Sequence, residues 1–176
     1  MDSFEYLQSK GLLFSKGVSH ETLFKIESIY QIKFPLSMKK LFLKGVPISS
    51  GFYRWDDFSN SNIDYIKEMI DYPFQYILEN IADIDWLDDR SFLNEEEKIK
   101  FAKRELQKAP HLIPLYMHRY IPIVEEDDPP ILSVHGFDVI IYGDNLWDWI
   151  RQEFDRYNCD RYSKKEKFIP FWTEIC

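Results

Sequence analysis

The sequence predicts an α+β fold: a single domain with a mostly antiparallel central sheet, packed with N-terminal, middle and C-terminal helices. Three observations predict it. Apolar residues recur at helical spacing in several stretches before Pro110. Short apolar runs joined by tight turns lie between Tyr120 and Tyr142. A last helical pattern follows Asn145. Elements segregated along the chain in this way imply α+β rather than alternating α/β, and 176 residues make one domain the expectation.

The elements follow in order. Leu23, Phe24, Ile26, Ile29 and Tyr30 share one face of a helix that starts near Ser19. Ser19 offers a cap, although Thr22 stands where a capping box carries Glu or Gln. Phe34-Pro35 ends this helix, because a residue before proline is pushed out of the helical region. Pro35 is expected at the first position of the next helix, which runs through Leu36, Leu41, Phe42 and Leu43 to a stop at Gly45. Residues 51–58 read as a short strand or an ordered loop. Asn62 or Asp64 would cap a helix bearing Ile66, Met69 and Ile70. Pro73 interrupts that pattern, and a second helix restarting there carries Phe74, Ile77, Leu78 and Ile81.

Asn94 opens a clearer helix, with Glu95, Glu96 and Glu97 in the first turn, where the helix dipole favours acids. Ile99, Phe101, Ala102 and Leu106 form its buried side, and Pro110 ends it. Tyr120 to Val124, broken by Pro122, reads as a strand, followed by Ile131 to Val134 and by Val139 to Tyr142. The turns between them suggest an antiparallel meander. Gly143-Asp144-Asn145 closes the last strand and caps a helix with Leu146, Trp149 or Trp147, Ile150 and Phe154 on one side.

Composition removes several classes of function. The chain is 45 % hydrophobic and 17 % aromatic, too apolar for a disordered tail, and its six glycines rule out a collagen-like fibre. A net charge of −8 argues against a general binder of nucleic-acid backbones, which needs a basic footprint. The first residues carry two acids and no basic region before an apolar stretch, so no secretory signal is expected. No run approaches the ~18 apolar residues of a membrane span. Cys159 and Cys176 are too sparse for a disulfide framework, so reduced thiols and a cytoplasmic location are expected.

Candidate chemistry is thin. No pair among His20, His111, His118 and His135 has the His-Glu-x-x-His spacing that puts two ligands on one helix face. His118 and His135 flank neighbouring strands and, with Asp138, would form a three-ligand set if they converged. Ser133, His135 and Asp138 hold the residue types of a nucleophilic triad, with Ser133 and His135 on the same face of one strand. No Gly-x-Ser-x-Gly elbow accompanies them, and no glycine-rich phosphate loop occurs. The expectation is therefore no cofactor, no metal and no enzyme, with a small hydrolase using His118, His135 and Asp138 as a remote alternative.

Charge is more informative. Glu79, Asp83, Asp85, Asp88, Asp89, Glu95, Glu96 and Glu97 face a single base, Arg90. Glu125, Glu126, Asp127 and Asp128 form a second run. Such a surface either keeps the protein in solution or steers a basic partner. Trp86, within Asp85-Trp86-Leu87-Asp88, is a candidate anchor, since Trp and Tyr dominate interface energetics. The candidate interface is thus Asp83, Asp85, Trp86, Asp88, Asp89, Glu95, Glu96, Glu125, Glu126, Asp127 and Asp128.

Three stretches resemble one family. They are Ile-Tyr-Gln-Ile-Lys-Phe-Pro-Leu-Ser-Met-Lys-Lys-Leu-Phe-Leu-Lys-Gly (29–45), Pro-Leu-Tyr-Met-His-Arg-Tyr-Ile-Pro (114–122), and Pro-Ile-Leu-Ser-Val-His-Gly-Phe-Asp-Val-Ile-Ile-Tyr-Gly-Asp-Asn-Leu (130–146). The first is similar to the helix–Phe-Pro–helix element of the SUKH superfamily, which is related to the yeast cell-wall assembly regulator. The others resemble the central strands of its bacterial members, with a strand–Tyr-Gly–helix ending. The resemblance implies one SUKH-like domain over residues 1–176, with residues 60–110 as a subgroup-specific helical insertion. It also implies an immunity protein that neutralises a cognate toxin, often a nuclease, by occluding its active surface. No catalytic residues carry over. A regulatory protein–protein adaptor of the cell-wall regulator type is the alternative, and direct binding to nucleic acid or membrane is not expected.

Overall fold

The computed structural model describes residues 1–84, 94–155 and 167–175. Among the described residues, six helices precede, flank and follow a four-stranded antiparallel sheet in an α+β arrangement. The helices are α1 (Ser3–Ser9), α2 (His20–Tyr30), α3 (Leu36–Lys44), α4 (Asn60–Glu79), α5 (Glu95–Leu106) and α6 (Leu146–Phe154), with a 3-10 turn at Ile81–Asp83. The strands are β1 (Leu112–Tyr116), β2 (Arg119–Pro122), β3 (Ile131–His135) and β4 (Asp138–Gly143), in the order β1-β2-β3-β4.

Local chemistry sets the helix boundaries. Asp2 and Glu5 form a reciprocal capping box at α1. Ser19 accepts from the Thr22 N–H to start α2. The helix stops at Tyr30, short of the expected Phe34, because Gln31 turns left-handed at φ 54° and Ile32 N–H closes back on the Glu27 carbonyl. Pro35 is the cap of α3 rather than its first residue: its backbone is extended while its carbonyl accepts from Lys39 N–H.

Two further prolines lie inside regular elements. Pro73 lies inside one continuous α4, where the sequence suggested a break. A proline in a helix interior costs about 3 kcal/mol. Here it belongs to a buried stripe with Ile66, Ile70 and Ile77, and burying side chains of that size contributes about 1.5–3 kcal/mol each. Pro114 sits inside β1, a strand that the alternation alone did not disclose. β1 is an edge strand, the position where a missing N–H does least harm. Residues 51–58 form an ordered loop, tied to the sheet by an isolated bridge between Phe52 and Tyr116.

The sheet divides two hydrophobic cores. Ile113, Leu115, Ile121 and Ile131 join the first with side chains of α1, α2, α3 and α6. Leu112, Tyr120, Leu132, Val134 and Val139 join the second with Ala102 and Leu106 of α5 and with Ile169, Phe171 and Trp172. Helix α4 serves both, giving Ile66 and Ile70 to the first and Ile77 to the second. Residues of the 60–110 region therefore help build both cores.

The meander gives the sheet two distinct ends. The β1–β2 and β3–β4 turns lie at one, the hairpin end. The β2–β3 connection and the start of α6 lie at the other, the loop end.

Candidate partner-binding groove

The β2–β3 connection carries Glu125, Glu126, Asp127 and Asp128, all exposed, followed by buried Pro129 and Pro130. It is pinned by its neighbours. Ser37 N–H at the start of α3 donates to the Asp127 carbonyl at 2.9 Å. Leu146 N–H at the start of α6 donates to Asp128 Oδ1 at 3.0 Å. Lys167 Nζ lies 3.5 Å from Glu126 Oε2 and donates to the Asp144 carbonyl at 2.9 Å. Four carboxylates are thereby presented on a loop held at two helix N-termini, through the Asp127 carbonyl at one and the Asp128 side chain at the other.

Asp128 consequently has a structural share as well. Replacing it by alanine removes an acceptor from the first turn of α6, and a lost cap of this kind costs about 1 kcal/mol. Urea denaturation of Asp128→Ala should register that loss, while Glu125→Ala leaves stability within about 0.5 kcal/mol.

Concave surface flanks the loop on both sides. On one side a hollow of about 640 Å³ is lined by Phe4, Leu36, Leu41, Leu43, Leu146 and Trp147, with Lys40, Lys44, Asp127 and Asp128. On the other a hollow of about 380 Å³ is lined by Lys33, Leu36, Lys39, Pro122, Val124, Glu125, Glu126 and Asp127. The two share Leu36 and Asp127 and so form one groove astride the loop. Leu36 is 40 % exposed, an apolar side chain placed for contact beside the acids. An apolar hollow with a few convergent charged groups is the usual form of a binding site.

Glu27 fixes two lysines of this groove, Lys33 and Lys39, from behind. Its buried carboxylate accepts from Phe34 N–H at 2.8 Å and pairs with Lys39 at 2.9 Å and Lys33 at 3.6 Å. Burial raises its pKa, but the bond from Lys39, the Phe34 N–H and the two lysine charges outweigh that. The carboxyl therefore titrates below its ordinary 4.5. A depressed carboxyl contributes stability above its unfolded pKa and loses it as pH falls through the folded value. Glu27→Gln should therefore lower Tm at pH 7, and its difference from wild type should narrow as pH falls below 4.5. Thermal melts across that range check it.

A second polar cluster occupies the hairpin end. Arg119, only 9 % exposed, bonds through Nε to Glu153 of α6 at 3.1 Å and through Nη1 to Ser133 Oγ at 2.8 Å. Its guanidinium carbon stands 3.9 Å from the centroid of the Tyr142 ring. The same Nη1 contacts His118 Nε2, which must therefore accept and leave the imidazole neutral. Burial and the Arg119 charge hold the His118 pKa below its ordinary value.

The topology does bring the candidate hydrolase residues together. His118 and His135 rings lie 6.3 Å apart, and His135 pairs with Asp138 across the β3–β4 turn. The contacts are not those of an activated serine: Arg119 takes up both Ser133 Oγ and His118 Nε2, where a nucleophile needs its base. Among the described residues no group of three or more His, Cys, Asp or Glu could hold a metal ion.

The acidic residues singled out in the sequence do not form one face. Glu125 to Asp128 stand at the loop end. Asp83 follows α4, whose Tyr76 packs on Phe137 in the β3–β4 turn at 5.5 Å. Glu95 and Glu96 open α5, which packs on the 3-10 turn and ends near the start of β1, so they too lie toward the hairpin end. Both are exposed and paired within their helix, with Lys98 and Lys100. Asp85, Trp86, Asp88 and Asp89 lie outside the described residues, as do Cys159 and Cys176. Sequence reasoning found the acids of the loop but missed Leu36, Trp147, Lys39 and Lys40. The only signal near them was the Pro35-Leu36 helix start, with Lys39 and Lys40 following at the end of its first turn.

Among the described residues no helix is long and apolar enough to cross a membrane. No family model, curated protein or solved structure matches the chain.

Proposed function

We propose that this chain is a cytoplasmic, SUKH-like immunity protein that neutralises a protein toxin by binding it and performs no chemistry of its own. The observation that carries the reading is the pinned loop of four exposed acids, flanked by an apolar hollow beside Leu36 and Trp147 on one side and a charged hollow on the other. A nuclease holds its substrate through lysines and arginines on the phosphates, and a rigid run of carboxylates is complementary to such a surface. In this reading the loop acids steer and orient the encounter, since charges at an interface rim act mainly through association rate and specificity. The groove beside Leu36 and Trp147 receives an apolar or aromatic anchor of the toxin, where most of the affinity of such interfaces concentrates. Occlusion follows from both contacts together.

Co-expression tests the proposal. The toxin to use is the product of the gene adjacent to the one encoding this chain. Cells expressing its C-terminal domain should survive when this protein is present and die when it is absent. Equal killing in both cases would reject the immunity reading, and a housekeeping partner bound through the same groove would point to the regulatory adaptor instead.

A further inference from the structure

Helix α4 carries a row that the groove does not use. Tyr65, Glu68, Tyr72, Tyr76 and Glu79 are spaced by three, four, four and three residues, which aligns them along one side of a helix. That side is turned away from the stripe of Ile66, Ile70, Pro73 and Ile77 that enters the cores. Tyr65 is 49 % and Tyr72 44 % exposed, and both glutamates are exposed. Among the described residues neither Glu68 nor Glu79 has an ion-pair partner.

The rings are already held in place. Tyr65 stacks on Tyr53 at 5.8 Å, Tyr72 lies 6.2 Å from Tyr76, and Tyr76 is seated against Phe137. Aromatic faces fixed before contact reduce the ordering cost of binding. Aromatic rings alternating with carboxylates suit a guanidinium: it stacks flat on a ring while its N–H groups pair with a carboxylate, a combination that a lysine ammonium does not reproduce. The chain builds such a unit in its own interior, where Arg119 lies over Tyr142 and bonds to Glu153. Asp64 and Asp71, also exposed on α4, extend the negative charge beside the row.

We infer that the tyrosine–glutamate row of α4 is a docking surface for an arginine-rich segment of another protein. Charge complementarity selects a basic partner for a chain of net charge −8, and the ring faces select arginine over lysine. The row lies apart from the loop-end groove, so this inference does not rest on the toxin reading.

The test uses deca-arginine and deca-lysine peptides titrated calorimetrically into the full chain. Wild type should bind the arginine peptide several-fold more tightly. Tyr65→Ala with Tyr72→Ala should weaken arginine-peptide binding about tenfold and erase the preference. Glu68→Gln with Glu79→Gln should weaken both peptides. Glu125→Gln with Glu126→Gln should leave the arginine preference intact. Should the alanine pair disturb folding by circular dichroism, Tyr65→Leu with Tyr72→Leu retains the apolar bulk and should still erase the preference. Equal binding of the two peptides by wild type, or an arginine preference that survives loss of both tyrosines, would overturn the inference, since attraction to net charge alone ignores the rings.

Discussion

Trp172→Ala is expected to destabilise the protein by about 3–5 kcal/mol, the usual cost of removing a large buried aromatic side chain. Trp172 is fully buried in the second core. Its ring meets Phe74 at 5.2 Å and Phe171 at 5.4 Å, both edge-on. Its indole N–H donates to the Pro110 carbonyl at 2.8 Å, which ties the end of the chain to the entry of β1. Domains of this kind have total stabilities of about 5–15 kcal/mol, so the loss is a large share of the whole. Trp172→Phe keeps most of the apolar area and loses the hydrogen bond. It should fall between wild type and the alanine variant, because an unpaired buried carbonyl costs about 1–3 kcal/mol. Urea denaturation of the three proteins measures this order. An alanine variant within about 1 kcal/mol of wild type would mean that residues 167–175 do not belong to the folding unit.

Arg119→Met is expected to cost about 2–4 kcal/mol. Removing one member of a buried ion pair costs about 3–5 kcal/mol. The lower range applies here because the side chains of Arg119 and Glu153 retain 11 % and 18 % of their exposure. The damage comes less from the lost attraction than from leaving Glu153 unpaired, so Arg119→Met combined with Glu153→Leu should be more stable than Arg119→Met alone. The same substitution changes the response to acid. A histidine whose folded pKa is depressed stabilises the protein above its unfolded pKa and loses that contribution as pH falls below it. Wild type should therefore lose stability as pH falls through about 6.5, the ordinary value for His118. Without the Arg119 charge that loss should shrink, which guanidinium melts at pH 7.5 and 5.5 can measure.

Periodicity and turn residues made much of this fold legible. The alternation from Ile131 to Tyr142 and the Gly136 turn announce the β3–β4 hairpin. Asn94 and Asn145 announce the helices they cap, each accepting the expected backbone N–H. Errors came where a local rule met a tertiary contact. Pro73 breaks isolated helices, yet here its ring belongs to the stripe that packs on the sheet. Gln31 is no glycine, and nothing nearby signals the left-handed turn that ends α2.

The candidate site was legible only in part, for a reason of geometry. The acids of residues 125–128 are adjacent in sequence and stand out as charge. The groove that gives them a surface to work with is assembled from Leu36, Asp127 and Trp147, which are remote in sequence. They meet only because the starts of α3 and α6 are both hydrogen-bonded to one loop. Periodicity carries no record of such a meeting. The tyrosine row of α4 is the converse case, since its spacing is visible in the sequence but its exposure is not.

The most direct test of the proposed toxin binding is the affinity of the purified chain for the C-terminal domain of whatever protein the adjacent gene encodes, once that domain is shown to kill cells. It should be measured by calorimetry for wild type and for Glu125→Lys combined with Glu126→Lys and Asp127→Lys. Asp128 is left intact because it supports α6. The variant should remain folded and bind at least about a hundredfold more weakly, the loss expected when several complementary charges are turned repulsive. Wild-type affinity in the folded variant would contradict the assignment of the groove and its acidic loop as the toxin-binding surface.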